Sequence, residues 1–289
     1  MDTTEFKKRS MFQETWKRLK KNKGAMIGLV IVIILFALAI GADLIYDYEE
    51  EVIKQDYSQL LQPPSSEHWL GTDECGRDLL ARIIYGSRAS LLISFAAVIL
   101  AAVVGCFFGA ISGYFGGTVD NVIMRFTDIL MAIPETLFAI TMVAAFGTST
   151  ATLIIALSIS NIPTYCRLLR SSVLTQRDSE HVEAATAIGA KTSTIILDHI
   201  LPNCLAPILV QLTLSVATTI LTISGLSFLG LGVAPPMPEW GSLLSAGKQF
   251  IRQYWPIITF PGIAISLTMI SVNLIGDGVR DALDPRMKR

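Results

Sequence analysis

Apolar residues are concentrated in long runs along this chain, and shorter polar stretches separate them. The clearest run, residues 25–42, contains no charged side chain. Each run is close to the ~20 residues that a helix needs to cross the hydrocarbon core of a bilayer. Because backbone polar groups in lipid must be satisfied within the segment itself, we expect an all-α integral membrane protein with six transmembrane helices. The predicted spans are residues 25–42, 91–115, 120–146, 151–169, 207–233 and 255–275.

The composition agrees with this pattern. Of the 289 residues, 52% are hydrophobic and 16% are charged, and the mean hydropathy is +0.54. A soluble domain carries about 25% charged residues. An ordinary soluble enzyme or binding domain is therefore excluded.

Basic residues are distributed unevenly between the predicted loops. They are dense before the first span, between the fourth and fifth spans, and after the sixth, whereas residues 43–78 are rich in carboxylates. Loops rich in Lys and Arg stay on the cytoplasmic side, so both termini are expected inside. Those before the first span are Lys7, Lys8, Arg9, Lys17, Arg18, Lys20, Lys21 and Lys23.

The first span has an alternative interpretation as a cleaved signal peptide. Ala37 and Ala39 flank Leu38 at the spacing of a cleavage site. The apolar run before them is longer than the usual core of a signal peptide, which favours a retained span.

The N-terminal tail has its own pattern. Phe12, Trp16 and Leu19 recur at helical spacing among basic residues, which predicts an amphipathic helix in the headgroup region. A solvated basic tail is the alternative. We therefore divide the chain into a basic amphipathic tail, residues 1–23, and a transmembrane domain, residues 24–289, with an outer loop at about 47–87.

One span and one loop carry small or turn-forming residues in a recognisable pattern. The second span has Gly105, Gly109, Gly113 and Gly117 at intervals of four, which predicts close packing against another helix. The loop at 230–241, with three prolines and three glycines, predicts a rigid outer connection that Trp240 anchors at the membrane interface.

The third span is the most polar. Arg125 and Asp128 are three residues apart and are expected to pair, and Pro134 is expected to kink the helix. Glu135 follows Asp128 by seven residues, on nearly the same helical face. An acid at this depth is costly and faces a cavity or a partner, so Asp128 and Glu135 are candidates for a translocation path. A local structural role for Glu135 stays open.

Catalytic and metal-binding patterns are missing from the sequence. The phosphate-binding pattern G-x-x-x-x-G-K-[ST] does not occur, since Gly247-Lys248 is followed by Gln249. His68, His181 and His199 lack the spacing of metal ligands, and the four cysteines form no C-x-x-C. We expect no catalytic residue, metal site or nucleic-acid partner, and no ATP hydrolysis by this chain itself.

The loop between the fourth and fifth spans, about residues 178–200, carries the most specific pattern. Ser179 is expected to cap a short helix whose first turn holds Glu180, and Gly189 to end it with a positive φ. A second helix is expected from Thr192, with Pro202 marking the entry to the fifth span. This stretch resembles the EAA motif of ABC-importer membrane subunits. The positions that match are Glu183, Ala184, Ala185, Gly189, His199, Leu201 and Pro202.

Further segments narrow the resemblance to dipeptide, oligopeptide and nickel permeases of the second, "C" type. His199 departs from the general EAA motif, which has an apolar residue there, but His-Ile-Leu-Pro-Asn looks typical of the peptide branch. The other similar segments are residues 70–78 with Arg82 and Arg88, residues 226–232, residues 239–241 and residues 276–286.

This resemblance implies a type I ABC importer transmembrane domain in a bacterial or archaeal plasma membrane. The implied partners are a homologous permease, two ATP-binding subunits that use ATP and magnesium, and an extracytoplasmic substrate-binding protein. The matching loop residues would form the coupling helix, and this chain would bind no cofactor.

Three alternatives to peptide import remain. Nickel or a metal–chelator complex is the alternative cargo within the family. A secondary transporter or channel would show inverted repeats or a charged relay through several spans, which the sequence lacks. A membrane enzyme is the third.

Overall fold

A computed structural model describes residues 11–283 of the chain, with side chains from Thr15 onward. The predicted basic residues Lys7, Lys8, Arg9, Arg286, Lys288 and Arg289, and the side chain of Phe12, lie outside the described part. The structure described is helical throughout. Its helices are α1 (Met11–Leu19), α2 (Lys23–Ile45), α3 (Leu79–Phe115), α4 (Gly117–Met131), α5 (Glu135–Phe146), α6 (Thr150–Arg177), α7 (Glu180–Ala187), α8 (Thr192–Thr194), α9 (Leu201–Phe228), α10 (Trp240–Gly247) and α11 (Pro256–Leu283).

Five stretches of helix are long and apolar enough to cross a membrane, namely α2, α3, α6, α11 and the continuous run Thr192–Phe228 that contains α9. A sixth crossing exists when α4 and α5 count as one span, although an 81° bend separates them. The six apolar runs are thus all helical, but the third is a broken helix and not merely a kinked one. Pro134 lies at this break, where it caps the start of α5.

The second and fifth spans begin earlier than expected. Helix α3 starts at Leu79 and has 37 residues, because Asp78 caps it by accepting a hydrogen bond from the Ala81 amide (2.7 Å). A π-helical turn, Ile195–Ile200, joins α8 to α9 without a break. Pro202 therefore lies in the first turn of α9 and does not separate two helices, and Pro207 lies inside that helix.

Helices α3 and α6 pack most closely along the glycine stripe. A Cβ added at Gly105 would lie 2.6 Å from the Ile162 carbonyl oxygen, and one added at Gly109 would lie 2.5 Å from that of Cys166. At Gly113 the neighbour is the Val173 side chain, at 2.8 Å. These three glycines confirm the prediction of close helix packing. Gly117 is not part of this seam, since it begins α4 with a φ of +55° and no neighbour within 4 Å.

The amphipathic helix α1 exists, but it packs on protein. Leu19 is buried in a cluster with Ala25, Val279 and Ala282, at the end of α11. Trp16 stays 39% exposed, and the Lys20 ammonium lies 5.3 Å from its ring centroid. The exposed side of α1 thus keeps an aromatic ring and a cation, as an interfacial helix does.

Trp240 lies in the core and is not an interfacial anchor. Its side chain is fully buried, and its indole nitrogen donates to the Ile83 carbonyl oxygen (2.9 Å). The preceding Glu239 is also fully buried, caps α10 and accepts from the Ser90 hydroxyl (3.0 Å). This pair fixes the connection between α9 and α10 to the first turns of α3.

Candidate coupling and translocation sites

Helix α7 is held to the rest of the protein by one apolar edge. Val182 and Ala185 are 3% and 5% exposed, and they belong to a buried cluster with Leu169, Val173 and Ile200. The cluster joins α7 to the inner half of α6 and to the start of α9. Helix α7 is therefore packed directly against two of the long helices.

The end of α7 follows the sequence-based prediction. Gly189 has a φ of +76°, its amide donates to the Thr186 carbonyl oxygen (3.0 Å), and the Ala190 amide donates to that of Ala185 (3.1 Å). These two bonds form a Schellman motif, which requires a left-handed residue after the helix cap. No atom lies within 4 Å of an added Cβ, so the glycine serves backbone conformation and leaves the surface beyond it open.

The start of α7 differs from the prediction. Ser179 occupies the cap position, but its hydroxyl donates to the Gln176 carbonyl oxygen (2.5 Å) and caps no amide of α7. The hydroxyl is drawn back to α6 because α6 extends to Arg177, only two residues before Ser179. The backbone carbonyl of Ser179 instead accepts from the amides of Val182 and Glu183, each at 3.0 Å.

The free face of α7 is flat and partly apolar. Glu183 and Ala184 are exposed, and Ile188 is 85% exposed at the end of the helix. Sequence reasoning missed Ile188, although an isoleucine next to a helix-ending glycine in a polar loop is a usable signal. Ile188 therefore adds an exposed apolar side chain beside the exposed residues Glu183 and Ala184.

The second half of the EAA-like stretch lies beside α7. The His199 carbonyl oxygen accepts from Asn203 (2.8 Å) and lies 3.4 Å from the His181 ring nitrogen of α7. Leu201 packs against the same cluster as Ala185, whereas Pro202 is exposed. The structure thus brings the two halves of the predicted coupling site into one surface patch.

The two candidate path carboxylates are not on one helical face, because the 81° bend lies between them. Asp128 contacts Arg167 of α6 and lies 4.0 Å from Arg125, so the predicted pair is the weaker of two. Glu135 is half-buried in the first turn of α5, where the helix dipole favours a carboxylate. It accepts a hydrogen bond from Asn161 of α6 (3.2 Å).

Arg167 and Arg170 belong to α6, which extends to Arg177. Arg170 donates two hydrogen bonds of 2.5 Å to Asp120, which also accepts from Ser112. The bonds of Asp120 and the contact between Arg167 and Asp128 together hold α4 against α3 and α6. These ion pairs were hard to predict from the sequence. Their partners are 39 and 50 residues apart, so helical periodicity gives no indication that they meet.

The segment 70–78, just before the N-terminal end of α3, is folded around a cluster of ion pairs. Asp73 accepts from the Arg77 side chain (2.7 Å), and the Arg82 guanidinium lies 3.2 Å from it. Arg77 also bonds Glu74 (2.9 Å), and burial raises the pKa of the Glu74 carboxyl. Ligand atoms of Asp73, Glu74 and Cys75 lie within 4.8 Å of one another, but the two guanidinium groups already supply the positive charge there.

Sequence comparison decides the family. Residues 105–289 match the family described as the inner membrane component of binding-protein-dependent transport systems, and residues 10–64 match the N-terminal transmembrane domain of oligopeptide transport permease C. This chain belongs to that transport family. As a member, it is the membrane-spanning permease subunit of an ABC importer, and it works with other transporter subunits.

Several relatives align with this permease over nearly the whole chain. The dipeptide transport system permease protein DppC of Alkalihalophilus pseudofirmus is 47% identical over 96% of this chain and 91% of its own length. DppC of Escherichia coli is 45% identical over 96% and 94%. The glutathione transport system permease protein GsiD of Pectobacterium atrosepticum is 39% identical over 97% and 93%.

The fold of the permease is also that of solved importers. The inward-facing MetNI methionine ABC transporter aligns with 71% of this chain and 97% of its own, at 18% identity and a TM-score of 0.57. An amino acid ABC transporter with histidines aligns with a TM-score of 0.56 at 14% identity, over 71% and 95%. The type I importer fold expected from the sequence is confirmed.

Proposed function

We propose that this permease forms half of the translocation path of an ATP-driven importer for dipeptides or similar short peptides. The observation that carries the proposal is the 47% identity with a dipeptide permease over nearly the full length of both chains. The similarity to a glutathione permease extends the same chemistry, since glutathione is itself a short peptide. Nickel or a metal–chelator complex is the alternative cargo that the test must separate.

The proposed partners are a homologous permease, two ATP-binding subunits that bind ATP and magnesium, and an extracytoplasmic substrate-binding protein. In this proposal α7 docks on one ATP-binding subunit through its flat free face. Ile188 enters an apolar depression of that subunit, and Glu183 meets hydrogen-bond donors or cations. Closure of the ATP-binding pair then moves α7, and the cluster around Val182 carries the motion to α6 and α9.

Two variants on α7 test this coupling. Gly189→Leu forces a side chain into a left-handed conformation, which costs about 1 kcal/mol or more, and fills the docking surface. Glu183→Lys reverses the charge of that surface. Each should insert and bind the homologous permease normally, yet reduce ATP hydrolysis stimulated by loaded binding protein by at least about tenfold, which is about 1.4 kcal/mol of coupling. The measurement is ATPase activity and uptake in reconstituted vesicles.

A matched control separates docking from backbone strain. Gly147, between α5 and α6, also has a positive φ (+85°) and no atom within 4 Å of an added Cβ. Gly147→Leu should therefore keep stimulated hydrolysis. Full stimulation and uptake in both α7 variants would show that this loop is not the coupling helix. Uptake of Ni²⁺ without uptake of a labelled dipeptide would instead overturn the cargo.

A further inference from the structure

The broken span formed by α4 and α5 carries an uneven set of charges. At its inner half, Arg125 and Arg167 share the single carboxylate of Asp128, which leaves one net positive charge. At the bend, Glu135 is bonded only to the neutral Asn161 among the described residues, which leaves one negative charge. Helix α6 supplies a contact to each of the two groups.

These charges do not face lipid. In the isolated subunit the side chain of Arg125 is 84% exposed, that of Asp128 48% and that of Arg167 44%. Charged groups exposed to hydrocarbon at this depth cost several kcal/mol, so such a face borders a partner or a water-filled cavity. Helix α2 shows the contrast, because its exposed side chains, Ile27, Val30 and Ile33 among them, are apolar.

Glu135 and Asn161 together form an acceptor pair. The Asn161 side-chain nitrogen donates to Glu135 (3.2 Å) and to the Leu157 carbonyl oxygen (3.0 Å), so both of its N–H groups are used. The amide oxygen of Asn161 and the second carboxylate oxygen of Glu135 have no partner in the described part of the chain. Two acceptors with one negative charge complement an ammonium group, which is a donor only.

The two charged groups are contacted from positions on α6 whose separation along the helix axis is close to the length of a short peptide. Asn161 and Arg167 are six residues apart on α6, which is about 9 Å along the helix axis. A fully extended dipeptide spans about 7 Å and a tripeptide about 10 Å. A di- or tripeptide therefore has about the length that separates the level of Asn161 from the level of Arg167 along α6.

From this geometry we infer that the bend between α4 and α5 is a binding site for zwitterionic di- and tripeptides on their way through the membrane. Glu135 and the amide oxygen of Asn161 receive the ammonium group, and Arg125 with Arg167 receives the terminal carboxylate. Asn161 is the positioning residue, since it holds one oxygen of Glu135 and leaves the other toward the path. The inference rests on the proposed peptide import and names its site within this chain.

The test uses the whole transporter in vesicles with its binding protein. The probe is alanyl-photoleucine, a dipeptide with free termini and a photoreactive side chain. In the wild type, light during turnover should attach the probe within residues 117–177. Glu135→Gln and Arg125→Gln should each reduce attachment and uptake by at least about tenfold, whereas Glu135→Asp, which keeps the charge, should retain a measurable part. Copurification of the partner subunits reports assembly.

Matched controls and outcomes follow from the structure. Glu67→Gln and Arg252→Gln change the same residue types at exposed positions away from the span and should keep wild-type uptake. Wild-type uptake in both site variants, or probe attached only outside residues 117–177 in an importing wild-type complex, overturns the inference. If a variant fails to assemble, the attachment in the wild type decides. A wild-type complex that imports no dipeptide contradicts the proposed function instead.

Discussion

Glu239 is a single buried polar residue that holds α10 against α3. Its carboxylate accepts from the amides of Gly241 and Ser242, each at 2.9 Å, and from the Ser90 hydroxyl at 3.0 Å. A buried carboxylate is tolerated when several donors satisfy it. Because those donors belong to α10 and α3, this one side chain joins parts of the chain about 150 residues apart.

Loss of this carboxylate should be costly. Glu239→Ala leaves three donors without acceptors, two of them buried, and each unsatisfied buried donor costs about 1–3 kcal/mol. We expect a loss of about 3 kcal/mol or more, seen as a lower melting temperature of the purified complex. Ser90→Ala removes one donor and the acceptor of the Trp240 amide (3.3 Å) but leaves the cap of α10 in place, so it should lower the melting temperature less. Equal melting temperatures for Glu239→Ala and the wild type would contradict this role.

At the residue scale, the sequence predicted correctly a residue whose role depends on backbone conformation. It did not predict which polar or aromatic side chains are buried. The positive φ of Gly189 follows from its position after a short helix and was predictable. The burial of Trp240 was not, because tryptophan is common both at membrane interfaces and in cores, and its partner Ile83 lies 157 residues away. The prediction that Ser179 caps α7 was wrong for a similar reason. The C-terminal extent of α6 places the Gln176 carbonyl oxygen where the Ser179 hydroxyl donates to it.

At the element scale, the seam between α3 and α6 is the most extensive contact between two helices in the described part of the chain. Glycines let the two backbones approach, and such contacts hold helices together in lipid, where no hydrophobic driving force acts between them. The interval of four residues predicted the seam but could not identify α6 as its partner. The break near Pro134 was likewise predicted as a kink only, because contacts of Asp128 and Glu135 with α6 accompany the full 81° bend.

Two alanine variants isolate this packing. Gly109→Ala places a methyl group 2.5 Å from the Cys166 carbonyl oxygen, so the helices must separate. A cost of about 1–3 kcal/mol is expected for such overpacking. Gly225→Ala, also in a long helix but with no atom within 4 Å, should be neutral or stabilise by up to about 1 kcal/mol. The check is the melting temperature and yield of each purified complex, and a neutral Gly109→Ala would show that the seam is loose.

At the scale of the whole molecule, six crossings, with α4 and α5 counted as one span, predict that both ends of the chain lie on one side of the membrane. The prediction that this side is the cytoplasm rests on the distribution of Lys and Arg. A reporter fused after Arg289 should be active as a cytoplasmic marker, and one inserted near Gln62 as an external marker. The reverse pattern at either position would invert the proposed topology and place α7 outside the cell.

The length of α3 has a mechanical consequence. Its 37 residues form a rod about 55 Å long, which is longer than a bilayer with its headgroups. Near its C-terminal end, α3 contributes Ala110 to the cluster that holds α7. Its N-terminal end follows the ion-paired segment that contains Asp73. A tilt of about 10° at one end of such a rod displaces the other by about 10 Å. A small rotation that begins at the end of α3 beside α7 would thus move the opposite end of the helix by about the length of a short peptide.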